Sequence, residues 1–280
     1  MLGRRTTGSV VCPSCGSLVG VNDDRCYTCG RSNPGLWGFG PVLRKIGVEL
    51  GFAELVVGVC SVLYLASLIA SGSGLTVVGG AFSFLSPSVK ALFTLGASGA
   101  APVFVYGRWW TLLSATWLHG NLLHIVFNMM WVRRLAPEAV DVYGTWRTAI
   151  IYVVAGACGF ALSSASGFLH LPLIGGAQFT IGASGSILGL LGALVHYGRR
   201  GSSAVGAQAM QWAMVLILMG FMMQGVDNMA HIGGFGGGYL ASSLLKPMHR
   251  ERGDHLIIGL ALLALSALAV LASIVSTFVG

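Results

Sequence analysis

The chain has 280 residues, of which 55% are apolar and only 9% charged, with 16 Lys and Arg against 9 Asp and Glu. A water-soluble domain carries about 25% charged residues, so this composition excludes a soluble globular protein, and apolar runs of about 20 residues point to a polytopic membrane protein. The net charge of +7 follows the loops rather than forming a basic face, and no nucleic-acid partner is expected.

The first 35 residues are polar and cysteine-containing, without the apolar core of a cleavable signal, so none is expected. They hold four of the six cysteines, Cys12, Cys15, Cys26 and Cys29, in the run CPSCG…CYTCG. The spacing C-x2-C-x10-C-x2-C forms two knuckles whose thiolates can close a tetrahedron around Zn2+. Gly16 and Gly30 follow the two pairs and permit the tight turns. Two disulfides are the competing reading, but the charge bias described below puts this segment in a reducing cytosol, where disulfides are rare. All four positions are cysteine, so the expected zinc is structural, in a ribbon-like domain over 1–32 too small to fold without it. Its expected partner is an unidentified cytosolic one. Residues 33–50 read as a Gly- and Pro-containing linker, with Trp37 and Phe39 at headgroup level. Cys60 and Cys158 fall in apolar spans as small packing residues.

Seven spans follow, at roughly 52–71, 113–132, 148–168, 184–198, 209–224, 228–245 and 255–278. With the N-terminus inside, the inner segments contain 14 of the 16 basic residues, and only Lys90 and Arg108 fall outside. The positive-inside rule then sets the N-terminus in the cytosol and the C-terminus outside. The expected location is the plasma (inner) membrane, with the lipid bilayer as the first partner.

Ionisable and strongly polar groups inside a bilayer are costly and mark function. The second span contains WLHGNLLHIVFNMMW, in which His124 and Asn128 share one helix face. His119 lies closer to the loop and reads as a structural hydrogen-bonding residue. The fourth span starts at a second copy of GASG and contains Ser184; the sixth contains AHIGGFGGG and His231. Ser184 lies 15 residues before Arg199, and His231 lies 15 before Lys246. At 1.5 Å per residue both sit about 22 Å above the inner edge, a matched depth below the outer surface. The fourth helix is too short to span, so the loop before it must enter the membrane inside a protein-lined cavity. Gly185, Gly189 and Gly192 on one helix and Gly234 and Gly238 on the other let the two backbones approach.

That juxtaposition suits acyl transfer. Neutral His231 can take the Ser184 proton and return it to the leaving amine, while His124, Asn128 and the Ser184 backbone N–H can receive the oxyanion. Asp227 precedes His231 by one turn but borders the outer interface, which leaves a dyad. Ser98, in the first GASG, has no depth-matched histidine and reads as loop structure.

These residues carry a resemblance. HGNLLHIVFN, GASG as GxSG, and AHIGGFGGG as AHxxGxxxG occur in the order found in rhomboid intramembrane serine proteases. The resemblance implies an all-α fold with a six-helix core over 51–247, and a connecting loop and extra seventh helix over 248–280. It implies Ser184 as nucleophile, His231 as base, His124 and Asn128 as oxyanion donors, and no cofactor for catalysis. It also implies cleavage of transmembrane protein substrates near their outer ends. Two positions depart from the family pattern. GRWWTLL stands where Trp-Arg is common, and Leu188 stands where an aromatic packs on the catalytic histidine.

Other classes fit less well. A zinc metalloprotease would need HExxH, an aspartyl intramembrane protease two embedded aspartates, and a transporter an acidic relay or repeated halves. A non-catalytic rhomboid-like protein that binds transmembrane helices is the alternative; such proteins usually lack the serine or histidine kept here.

Overall fold

The computed structural model describes residues 4–39, 51–77, 83–168, 175–223 and 225–279. Most of the expected linker, including Arg44 and Lys45, lies outside the described residues. The N-terminal segment is a small hairpin in which β1 (Ser9–Val11) pairs antiparallel with β2 (Leu18–Gly20), Val10 opposite Val19. Val10, Val19 and Val21 pack with Cys12 and Cys26 into a core of their own. The hairpin rests on the N-terminal end of the last helix through an Arg31–Asp254 ion pair at 3.1 Å.

The rest is helical. The α-helices are α1 (Phe52–Ser71), α2 (Val89–Leu95), α3 (Thr111–Ser114), α4 (Leu122–Tyr143), α5 (Thr145–Ser166), α6 (Ser184–Gly198), α7 (Ser203–Met222), α8 (Asn228–Leu244) and α9 (Gly253–Val279). Among the described residues four helical stretches are long and apolar enough to cross a membrane alone: Phe52–Gly74, Thr145–Ser166, Ser203–Met222 and Gly253–Val279. The chain is an all-α polytopic membrane protein with a small cysteine-bearing N-terminal hairpin.

The bundle is built around its shortest long helix. Every residue of α6 from Gly185 to His196 is buried, because α1, α4, α5 and α7 supply the large apolar side chains of one shared core around it and α8 closes the remaining side. Small residues make that last contact. A Cβ on Gly185 would lie 3.1 Å from the Ala230 carbonyl oxygen, and one on Gly189 3.0 Å from that of Gly234. The opposite face of α8 meets α5 just as closely: a Cβ on Gly233 would stand 3.0 Å from the Gly159 Cα, and one on Gly237 3.0 Å from the Cys158 sulfur. Cys60 is wholly buried, whereas Cys158 keeps an exposed edge beside this contact.

Two spans differ clearly from the sequence expectation: the fifth, expected at 209–224, is α7 and starts at Ser203, and the second differs more. The second span was expected at 113–132, but the chain makes only short turns over Thr111–Trp117 and then starts α4 at Leu122. Asn121 decides this: its backbone is extended and its side-chain oxygen accepts the His124 N–H at 2.7 Å, an N-cap inside the apolar run. The helix continues through Arg133, Arg134 and Pro137 to Tyr143, where Gly144 turns the chain into α5.

Candidate active site

The segment 175–183 enters the bundle without helical structure, and Gly182 and Ala183 are buried in protein. Several of its backbone polar groups find partners, which an irregular chain buried in protein needs. Thr180 and Ser98 exchange two backbone hydrogen bonds, 2.8 and 3.0 Å, and the Gly182 N–H donates to the Ala115 carbonyl at 3.0 Å. Gly182 adopts φ +128°, and a Cβ there would stand 2.7 Å from His124 Nε2 and 3.9 Å from Ser184 Oγ. Only glycine lets the chain turn between these two side chains.

Ser184 is the first residue of α6, so its backbone N–H has no intrahelical acceptor and the positive end of the helix lies at its position. Two residues on, Ser186 shares a 2.8 Å hydroxyl hydrogen bond with Thr116, which ties the start of α6 to the turn before α4. His231 sits in the first turn of α8. It is buried, and its Nδ1 has no hydrogen-bond partner among the described residues. Asp227 does not reach it: one carboxylate oxygen caps α8 by accepting the Ala230 N–H at 3.0 Å, and the other accepts from the Ser163 hydroxyl. That hydroxyl in turn receives the Ala177 N–H at 3.1 Å, binding the incoming loop to α5 and α8 together.

His124 and Asn128 face the same space from α4. His124 Nδ1 accepts the Gly120 N–H at 3.4 Å, which assigns the ring proton to Nε2, the nitrogen on the Gly182 side. Asn128 donates one amide hydrogen to the His124 carbonyl at 2.8 Å and keeps the second. Ser184, His231, His124, Asn128, Gly182 and Leu188 all line one cavity of about 940 Å3. Trp131 of α4, which lines the cavity, meets Trp212 of α7 edge to face at 5.2 Å.

His119 is fully buried near the Trp117 backbone and packs edge-on against His124 with ring centroids 5.1 Å apart. Arg108, Trp110 and Ser273 form a further polar cluster that local sequence pattern did not reveal.

The N-terminal cysteines gather as their spacing predicts. The four sulfurs lie within 4.8 Å of one another, with Cys12–Cys29 at 3.8 Å and Cys15–Cys26 at 3.5 Å. Zinc–sulfur bonds of about 2.3 Å in a tetrahedron give sulfur separations of roughly 3.8 Å, so the donor set fits a four-coordinate metal. Hydrogen bonding with the Ser17 side chain and backbone lowers the Cys15 thiol to about 6, while Cys29, against the lowering effect of a backbone hydrogen bond from Arg31, is raised to about 12 by desolvation and the neighbouring thiols.

The Rhomboid domain family matches residues 106–248. The chain is 32% identical over 166 residues to RHOMBOID-like protein 7 of Arabidopsis thaliana, covering 58% of this chain and 50% of that protein. It is 29% identical over 186 residues to Rhomboid protease GluP of Bacillus subtilis, covering 65% and 35%. Over 167 residues it is 31% identical to RHOMBOID-like protein 6, mitochondrial, of Arabidopsis thaliana, covering 58% and 52%. The chain thus spans about half or less of the length of these curated relatives.

Proposed function

The chain belongs to the rhomboid family, and from that premise we propose that it is an intramembrane serine endopeptidase that cleaves transmembrane protein substrates near the outer side of the membrane through a Ser184–His231 dyad. One observation carries this reading: Gly185 packs against Ala230, which brings the residue before one and the residue after the other to a single cavity that His124 and Asn128 also line. The family includes proteases, as the name of GluP records.

In this mechanism His231 removes the Ser184 hydroxyl proton as the oxygen attacks the scissile carbonyl carbon. The resulting oxyanion accepts hydrogen bonds from the Ser184 N–H, His124 Nε2–H and the second Asn128 amide hydrogen. Imidazolium then gives its proton to the departing amine, and a water activated by the same histidine releases the acyl group. The unpartnered Nδ1 of His231 and the engagement of Asp227 elsewhere support two residues rather than three.

The remaining features fit a division into a cytosolic zinc-ribbon-like domain (1–32), a linker (33–50), a protease core (51–247) and a connecting loop with a seventh helix (248–280). Zn2+ held by Cys12, Cys15, Cys26 and Cys29 would be structural, stabilising the hairpin, and a cytosolic protein is its proposed partner. The charge distribution supports a plasma (inner) membrane protein with its N-terminus in the cytosol and its C-terminus outside.

The test is cleavage of a transmembrane substrate by purified protein in proteoliposomes. Wild type is expected to cut it, and Ser184→Ala and His231→Ala to leave it whole while inserting normally. Substrate bound but uncut by wild type would instead favour a helix-binding protein.

A further inference from the structure

A ladder of hydrogen bonds runs from the outer half of the last helix to the loop that carries Ser184. Ser273 of α9 is fully buried. Its hydroxyl accepts the Trp110 indole N–H at 3.0 Å, and its carbonyl accepts Arg108 Nη2 at 2.8 Å. Arg108 is 4% exposed; its other terminal nitrogen donates to the Phe93 carbonyl at 2.9 Å, and its guanidinium lies 4.1 Å from the Phe93 ring centroid. These contacts fasten α2, the outer loop and α9 together. The Ser114 hydroxyl then bonds the Gly96 carbonyl at 2.7 Å, and a Cβ on Gly96 would stand 2.7 Å from Ser273 Oγ.

From Gly96 the path continues without a break. Thr111, three residues after Arg108, is buried and donates its hydroxyl at 2.7 Å to the Arg108 carbonyl, with Ser98 Oγ 3.2 Å away. Ser98 pairs by its backbone with Thr180, and Ala115 holds the Gly182 N–H. Gly182 stands two residues before Ser184 and against His124. A guanidinium buried in protein is costly unless paired, so the bonds of the two Arg108 terminal nitrogens to α9 and Phe93, with that of Trp110 to α9, favour one loop geometry over its alternatives.

We infer that α9 is a strut for the active site, and that Ser273, Arg108 and Trp110 are positioning residues that hold the 175–183 loop through the Ser98–Thr180 pair. The inference rests on the protease reading for its catalytic readout only.

The test uses the full-length purified protein with Ser273→Ala, Trp110→Phe, the double variant, and Ser266→Ala as control, since the Ser266 hydroxyl bonds only the Leu262 carbonyl of its own helix. Two quantities are read: the rate of fluorophosphonate labelling at Ser184 and amide hydrogen exchange in 96–100 and 177–183. Each single variant is expected to slow labelling roughly threefold to tenfold, the population shift one hydrogen bond supports, and to speed exchange in 177–183. The double variant should be no slower than the slower single one, because both break the same link, and Ser266→Ala should match wild type. Wild-type labelling and exchange in both single variants would overturn the strut, as would lower thermal stability with neither quantity changed. If wild type itself is not labelled, the protease reading fails, and exchange in 177–183 alone decides the strut.

Discussion

Gly185 and Gly234 meet backbone to backbone: a Cβ on Gly234 would overlap the Gly185 carbonyl and stand 2.8 Å from its Cα. This contact joins the helix that starts at Ser184 to the helix that carries His231, and a side chain has no room there. Gly234→Ala is expected to destabilise the protein by about 1–3 kcal/mol and to reduce cleavage by separating the two residues. Gly236→Ala, on the same helix with open space around it, should be neutral or slightly stabilising. Thermal unfolding and substrate cleavage measured on both variants check this; equal behaviour would mean that the close approach does not matter.

Asp227 caps α8 rather than orienting His231. Asp227→Asn keeps a capping oxygen and should retain cleavage within a few-fold. Asp227→Ala should lose about 1 kcal/mol of stability with a modest loss of rate. A loss of several orders of magnitude in Asp227→Asn, at unchanged stability, would indicate a catalytic triad.

The two oxyanion donors should differ. His124→Ala removes an Nε2–H set beside Gly182, and a fall of about 10²- to 10³-fold in kcat is expected, as for loss of one such donor. Asn128 already gives one hydrogen to its own helix, so Asn128→Ala should cost less. Single-turnover rates separate the effect on kcat from that on substrate binding. Equal and small effects for both would remove them from the oxyanion site.

Metal content tests the cysteine cluster. Full-length protein is expected to contain about one zinc per chain and to lose it on Cys12→Ser or Cys26→Ser substitution, with the hairpin then losing amide protection in residues 9–20. Metal-free protein with the same protection would show that the hairpin folds without an ion.

Much of this arrangement could be read from the sequence, and the exceptions have physical causes. The start and end of α1 and α6 coincide with the apolar runs expected at 52–71 and 184–198, and the glycine repeats pair as small residues in membranes should. The second span failed because hydropathy registers the Asn121 cap as one polar residue within an apolar stretch, whereas its hydrogen bond to the His124 N–H decides where α4 begins. The Arg108–Ser273 contact joins residues 165 apart, a separation about which no local periodicity carries information. The first GASG proves to be loop structure that pairs with the loop preceding the second.

The most direct measurement is mass-spectrometric mapping of the residue modified when purified protein is treated with a fluorophosphonate probe. Modification is expected at Ser184, abolished in His231→Ala and unaffected by Ser98→Ala. Modification that persists at full rate in His231→Ala, or that maps to Ser98, would contradict it.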